Sequence, residues 1–124
     1  MSILVIGAAG FVGSHLVKRL GALGHRVCGM DIDNVRAKQV LASNIPFYCY
    51  DFGAQSSLQN VFRQENVDMV IQCAGKSIVE NSVTDPMSYY TNNVLCNVFL
   101  LDTLLKSNIT KIIYISSATA FGEV

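Results

Sequence analysis

Neither sign of charge predominates in this 124-residue chain, in which nine Lys and Arg stand against nine Asp and Glu. That balance leaves no basic field to hold nucleic acid and no acidic tail. No uninterrupted apolar run approaches the roughly 18 residues that a membrane-spanning helix needs. The first residues carry no basic stretch and their apolar run is short, so a secretory leader is not expected. Cys-x-x-Cys pairs are missing too: Cys28, Cys49, Cys73 and Cys96 lie at intervals of 21, 24 and 23. Each sits in or beside an apolar run, so the expectation is buried free thiols in a reducing cytoplasm, not a disulfide or metal site. The two histidines, His15 on a first helix and His25 in the turn after it, are too isolated to form a ligand set. No repeat, low-complexity stretch or linker divides the chain, and one domain over 1–124 is expected.

What is present is apolar. Half of the residues are hydrophobic and 15% are charged, enough to bury a core. The apolar residues fall into alternating patterns. Ile3–Gly7 reads as a buried strand, and Phe11–Leu23 as a helix with Val12, Leu16, Leu20 and Leu23 on one stripe and Gly24 as its stop. Arg26–Asp31 reads as a strand, Val35–Ala42 as a short helix and Pro46–Tyr50 as a third strand. Ser56-x-x-Gln59 has the form of a capping box before a helix over Leu58–Glu65. Val67–Cys73 follows as a strand entered at Asn66. Asp85-Pro86 then opens a long helix to Lys106, and Lys111–Ser116 is a fifth strand. Strands separated by helices call for parallel pairing with right-handed crossovers. Their nearly continuous apolar runs fit a sheet covered on both faces.

The opening MSILVIGAAGFVGSH spends three glycines, Gly7, Gly10 and Gly13, directly after the first strand. In a doubly wound sheet this turn approaches a dinucleotide pyrophosphate. Gly7 permits the tight turn, Gly10 removes a Cβ near the phosphates, and Gly13 lets the helix lie close to the sheet. The amides of Phe11, Val12 and Gly13 would face the anion, helped by the helix dipole. Asp31, 18 residues past Gly13 at the end of the second strand, stands where an acid would bind the adenosine ribose hydroxyls. A carboxylate there favours NAD over NADP, with Arg36 nearby as the opposing charge.

The spacing G-x-x-G-x-x-G resembles the short-chain dehydrogenase/reductase superfamily. Further segments resemble its extended, nucleotide-sugar-modifying branch: Asp51-Phe52, Cys73-Ala74-Gly75, Ser82-x-x-x-Pro86-x-x-Tyr89-Tyr90-x-Asn92-Asn93-Val94, and Ile115-Ser116-Ser117-Ala118-Thr119-Ala120-Phe121-Gly122. Ser117-Ala118-Thr119 offers no acid, which separates the chain from the 4,6-dehydratases of that branch and leaves its NAD-dependent epimerases. The resemblance implies a Rossmann fold, five parallel strands in order 3-2-1-4-5, lacking the later strands and the substrate domain. It implies NAD as cofactor and a UDP-hexose as substrate of the whole enzyme. Phe11 and Val12 would then meet the pyrophosphate, and Asp31 through Arg36 the adenosine. Asp51 and Phe52 would contact adenine, and Cys73, Ala74, Gly75 and Ser77 would line the central cofactor path. Asn92 would reach in from the long helix, and Ser117 would hydrogen-bond the sugar O4. It also implies a homo-oligomer through helix 86–106; the apolar run Ile112–Ile115, with an unpaired strand edge, makes the edge of strand five a second expected route to self-association.

Several positions depart from the family pattern. Ile6 replaces a Thr, Val94-Leu95-Cys96-Asn97 replaces Val-x-Gly-Thr, Phe121 replaces a Tyr, and Ser77 stands where the epimerases place a Lys. The family's proton-abstracting Tyr-x-x-x-Lys is missing: four residues after the five tyrosines stand Phe52, Ala54, Asn93, Val94 and Ala118. Two readings remain open. One is the cofactor-binding N-terminal part of an epimerase-like enzyme, inactive alone. The other is a non-catalytic dinucleotide-binding module that acts through a partner.

Overall fold

A computed structural model describes residues 1–75 and 83–116. Five strands form one parallel sheet in the order β3-β2-β1-β4-β5: β1 Ser2–Ile6, β2 Arg26–Asp31, β3 Phe47–Cys49, β4 Met69–Gln72 and β5 Lys111–Tyr114. The order expected from the sequence is the order found. Because β1 is central, Ile3 and Val5 face one layer while Leu4 and Ile6 face the other, and all four are buried.

Helix α1 (Phe11–Ala22) covers the face of Ile3 and Val5, with Val17 buried and Leu16 and Leu20 packed beside it. The other face is covered by α3 (Gln55–Gln64) and α5 (Cys96–Lys106), whose Leu58, Val61, Phe62, Leu100 and Leu104 pack on Leu4, Ile6 and Val70. Helix α2 (Asn34–Val40) lies between β2 and β3, capped by Asp33, whose carboxylate accepts the Arg36 amide at 2.9 Å. Gly24 ends α1 at φ +89°, and Asn66 takes the left-handed turn ahead of β4 at φ +50°.

Four local expectations change. The stripe of α1 is not Val12, Leu16, Leu20 and Leu23, because Val12 and Leu23 are 47% and 59% exposed. The helix is rotated so that Gly13 and Val17 face inward, since Gly13 must lie against the backbone of the first turn. The Ser56 capping box does not form. Asp51 draws the chain into the helix early, its carboxylate accepting the Gly53 amide at 3.0 Å and its carbonyl the Ala54 amide at 3.0 Å. The helix therefore starts at Gln55 and Ser56 lies inside its first turn. Cys49 is exposed because β3 is a three-residue edge strand; all four cysteines are free. The long helix keeps its expected start, with Pro86 following Asp85, whose carboxylate accepts the Ser88 amide. It then runs as α4 (Pro86–Tyr90), a π-helical segment (Thr91–Leu95) and α5.

Candidate functional site

The C-terminal tips of β1 to β4 open into a crevice of about 210 Å³, on the side where the strand order reverses. Gly7 leaves β1 at φ +81°, and its own amide is held by the Met30 carbonyl at 2.8 Å. A Cβ on Gly7 would stand 2.7 Å from the Ala74 nitrogen, so the first turn and the turn after β4 touch backbone to backbone. A Cβ on Gly13 would stand 2.0 Å from the Gly7 carbonyl oxygen. Gly10 lines the crevice and is the N-cap of α1, with no side-chain cap and no acid in the first turn. The leading amides of a 12-residue helix are thus left without a side-chain acceptor.

Two residues of the β2–α2 corner grip Ala9 in this loop. The Asp31 carboxylate accepts the Ala9 amide at 3.0 Å, and Arg36 Nε donates to the Ala9 carbonyl at 2.9 Å. The second carboxylate oxygen of Asp31 accepts the Asp33 amide at 3.1 Å. Asp31 still lines the crevice, so its carboxylate serves both the loop and the cavity. Arg36 lies outside that lining and holds the loop from its flank.

Among the residues singled out from the sequence, Gly7, Gly10, Asp31, Asp51, Phe52, Cys73, Ala74, Gly75 and Asn92 line one crevice. Phe52 is also part of the core beneath it. Phe11 and Val12 lie on the exposed start of α1, and Gly13 is packed under the loop. Ser77 and Ser117 lie outside the described residues. Ile6, Ile32 and Tyr50 complete the lining; Ile32 falls in the Asp31–Arg36 stretch expected at the adenosine, whereas Ile6 and Tyr50 were not foreseen. Tyr50 directly follows β3, so its position after a strand end was the available signal. Gly29 was missed as well: a Cβ there would meet the Ala8 Cβ at 2.7 Å, which lets the loop settle on β2.

The crevice carries two carboxylates, Asp31 and Asp51, and two thiols at or behind its wall. Burial pushes the Cys73 thiol up, and burial followed by the adjacent Asp51 does the same to Cys96, whose Sγ donates to Asp51 at 3.7 Å. Both thiols are therefore neutral near pH 7 and poor nucleophiles. Among the described residues no group of His, Cys, Asp and Glu is placed to hold a metal ion, and no helix is long and apolar enough to cross a membrane.

A parallel sheet of this order, with a glycine turn at its central strand and an acid at the tip of β2, is a Rossmann-type fold. The sequence matches the model of the NAD dependent epimerase/dehydratase family over residues 3–124. The chain belongs to that family. Among curated relatives, UDP-glucose 4-epimerase of Neisseria meningitidis serogroup C is 38% identical over 128 residues, covering 98% of this chain and 38% of the relative. A solved UDP-glucose 4-epimerase superposes with a TM-score of 0.93 at 35% identity, over 100% of this chain and 38% of that one. The UDP-glucose 4-epimerase of Bifidobacterium longum in complex with NAD+ and UDP superposes at 0.88 with 32% identity, over 98% and 38%. The chain thus spans about 38% of the length of these relatives.

Proposed function

We propose that the crevice at the tips of β1 to β4 binds NAD, and that the chain is the cofactor-binding portion of an enzyme of the UDP-glucose 4-epimerase type. The carrying observation is the convergence of Gly7, Gly10, Asp31, Asp51, Phe52, Ala74 and Asn92 on one cavity from five separate stretches of chain. The uncapped start of α1 suits a pyrophosphate, which would take the amides of Phe11 and Val12. Asp31 would accept the adenosine ribose hydroxyls, and Asp51 and Phe52 would meet the adenine. Cys73, Ala74, Gly75 and Asn92 would line the path toward the nicotinamide, with Ser77 continuing it. Ser117 would hydrogen-bond the sugar O4. Bound NAD supplies a hydride acceptor and donor, which in such enzymes acts at C4 of a UDP-hexose.

The 124 residues hold no Tyr-x-x-x-Lys, so no tyrosine here is paired for proton abstraction from the sugar. That observation favours keeping a second reading, a non-catalytic dinucleotide-binding module that works through a partner. Both readings require NAD binding. Calorimetric titration of the purified chain with NAD, NADP and ADP-ribose tests it: saturable binding of NAD and ADP-ribose with weaker binding of NADP is expected, and no binding of any of the three contradicts it.

A further inference from the structure

Gln72 ends β4 almost wholly buried, 1% exposed, one of few polar residues in a mostly apolar core. Both ends of its amide are hydrogen-bonded. Gln72 Oε1 accepts the Ala74 backbone amide at 2.8 Å, and Gln72 Nε2 donates to Asn97 Oδ1 at 2.8 Å. Asn97 Nδ2 in turn donates to the Asn93 carbonyl at 2.8 Å. Two side chains thus link the turn after β4 to the π-helical segment Thr91–Leu95. One end of this chain of amides is in the crevice wall, at Ala74, and the other stops at Asn93, next to Asn92, which lines the crevice from the opposite side. A Cβ on Gly75 would stand 3.2 Å from Asn93 Oδ1, so the two walls are already in close approach there. Asn97 is also one of the positions where the sequence leaves its family's Val-x-Gly-Thr pattern.

We propose that Gln72 and Asn97 are positioning residues, an amide pair that fixes the direction of the Ala74 N–H and the spacing between the Ala74-Gly75 wall and Asn92. The proposal rests on the dinucleotide reading of the crevice. A buried polar pair adds little net stability over an apolar pair of the same shape, because both amides must leave water to form it. What it adds is direction: each bond has one angle and one length, and a satisfied buried network holds its members in one arrangement. Placing that network behind the crevice orients groups that an apolar filling would leave free to shift.

The test compares Asn97→Ala with the volume-conserving double variant Gln72→Met/Asn97→Leu. Asn97→Ala strands the Gln72 Nε2 donor, and its Oε1 then holds Ala74 less firmly. Amide hydrogen exchange at Ala74 in the ligand-free protein is expected to accelerate about tenfold, the equivalent of one lost hydrogen bond. The double variant fills the space with apolar groups but leaves the Ala74 amide without its Gln72 acceptor. It is therefore expected to unfold at a midpoint nearer the unmodified chain than Asn97→Ala does, to share the faster Ala74 exchange, and to bind NAD about tenfold more weakly. Unchanged Ala74 exchange in Asn97→Ala, or NAD affinity restored with stability in the double variant, overturns the proposal. If the unmodified chain fails to bind NAD, the dinucleotide reading falls, and the Ala74 exchange arm still decides whether the pair positions the turn.

Discussion

Gly13 and Gly7 meet so closely that a Cβ on Gly13 would lie 2.0 Å from the carbonyl oxygen of Gly7. Nothing in that contact can give way cheaply, since the oxygen belongs to the backbone of the turn and Gly7 is itself wedged against Ala74. Gly13→Ala is expected to cost about 3 kcal/mol of stability, the upper range for overpacking a tight site. Gly21→Ala, where a Cβ meets nothing within 4 Å, is expected to be neutral or slightly stabilising. Urea unfolding of the two variants checks both.

Cofactor preference follows from the two residues that hold Ala9. Asp31→Ala is expected to remove discrimination between NAD and NADP, because the carboxylate that would repel a 2′-phosphate is gone. It also frees the Ala9 amide, so affinity for NAD falls. Arg36→Ala is expected to weaken both cofactors alike and keep the preference, since its Nε is engaged at the Ala9 carbonyl. Competition binding of NAD and NADP to each variant separates the two roles. Loss of the preference in Arg36→Ala alone contradicts them.

The fold was legible because short apolar strand runs alternate with helical patterns, Gly24 stops the first helix, and β1 is apolar on both sides. Most of the crevice lining was legible for a related reason: apart from Gly10 and Asn92, its residues sit at or just after strand ends, where the pattern changes. What escaped was set by contacts between distant segments. Gly13 rotates α1 away from the Val12 stripe, and Asp51 starts α3 ahead of Ser56. Tyr50 enters the crevice only because β2 and β3 pair with Asp31 beside Cys49. The π-helical segment leaves no local mark in Thr91–Leu95; its partner is Asn97, held by Gln72 from another strand.

Stability is expected to fall on the alkaline side. Burial pushes the Cys28 thiol up to about 12, with Glu65 adding to it. Burial, with the hydrogen bond to Glu65 at 2.6 Å, raises the Tyr48 hydroxyl to about 12. Both groups release their proton later when folded than when unfolded. Their contribution is therefore complete below the ordinary thiol and phenol values, and is lost as pH rises from about 9 toward 12. Cys28→Ala is expected to flatten the part of this decline between pH 9 and 10, read from unfolding midpoints against pH. An identical slope in the variant contradicts the assignment.

Purified as these 124 residues, the chain is expected to give no meaningful conversion of UDP-galactose to UDP-glucose. Loss of a positioned acid–base group alone lowers rates typically 10²–10⁴-fold. A coupled spectrophotometric assay on homogeneous protein checks this, and robust turnover refutes it.

Self-association is expected through the outer face of α4 and α5 or the edge of β5. Met87, Val94, Val98, Leu101 and Leu105 are exposed on the helices, and Ile113, Tyr114 and Ile115 on or just after the last strand. Exposed apolar area beside an open strand edge favours pairing with another copy. Sedimentation at high micromolar concentration should reveal a dimer or larger species. A monomer that binds no apolar dye runs against this expectation.

The central claim, that dinucleotide binds at the β1–β4 tips, is tested most directly by titrating isotopically labelled chain with NAD and following backbone amide shifts. Saturable shifts are expected at Gly7, Gly10, Phe11, Val12, Asp31, Asp51, Gly75 and Asn92. Shifts confined to the opposite end of the sheet, around Asp68, Asn108 and Lys111, or no saturable shift at all, would contradict it.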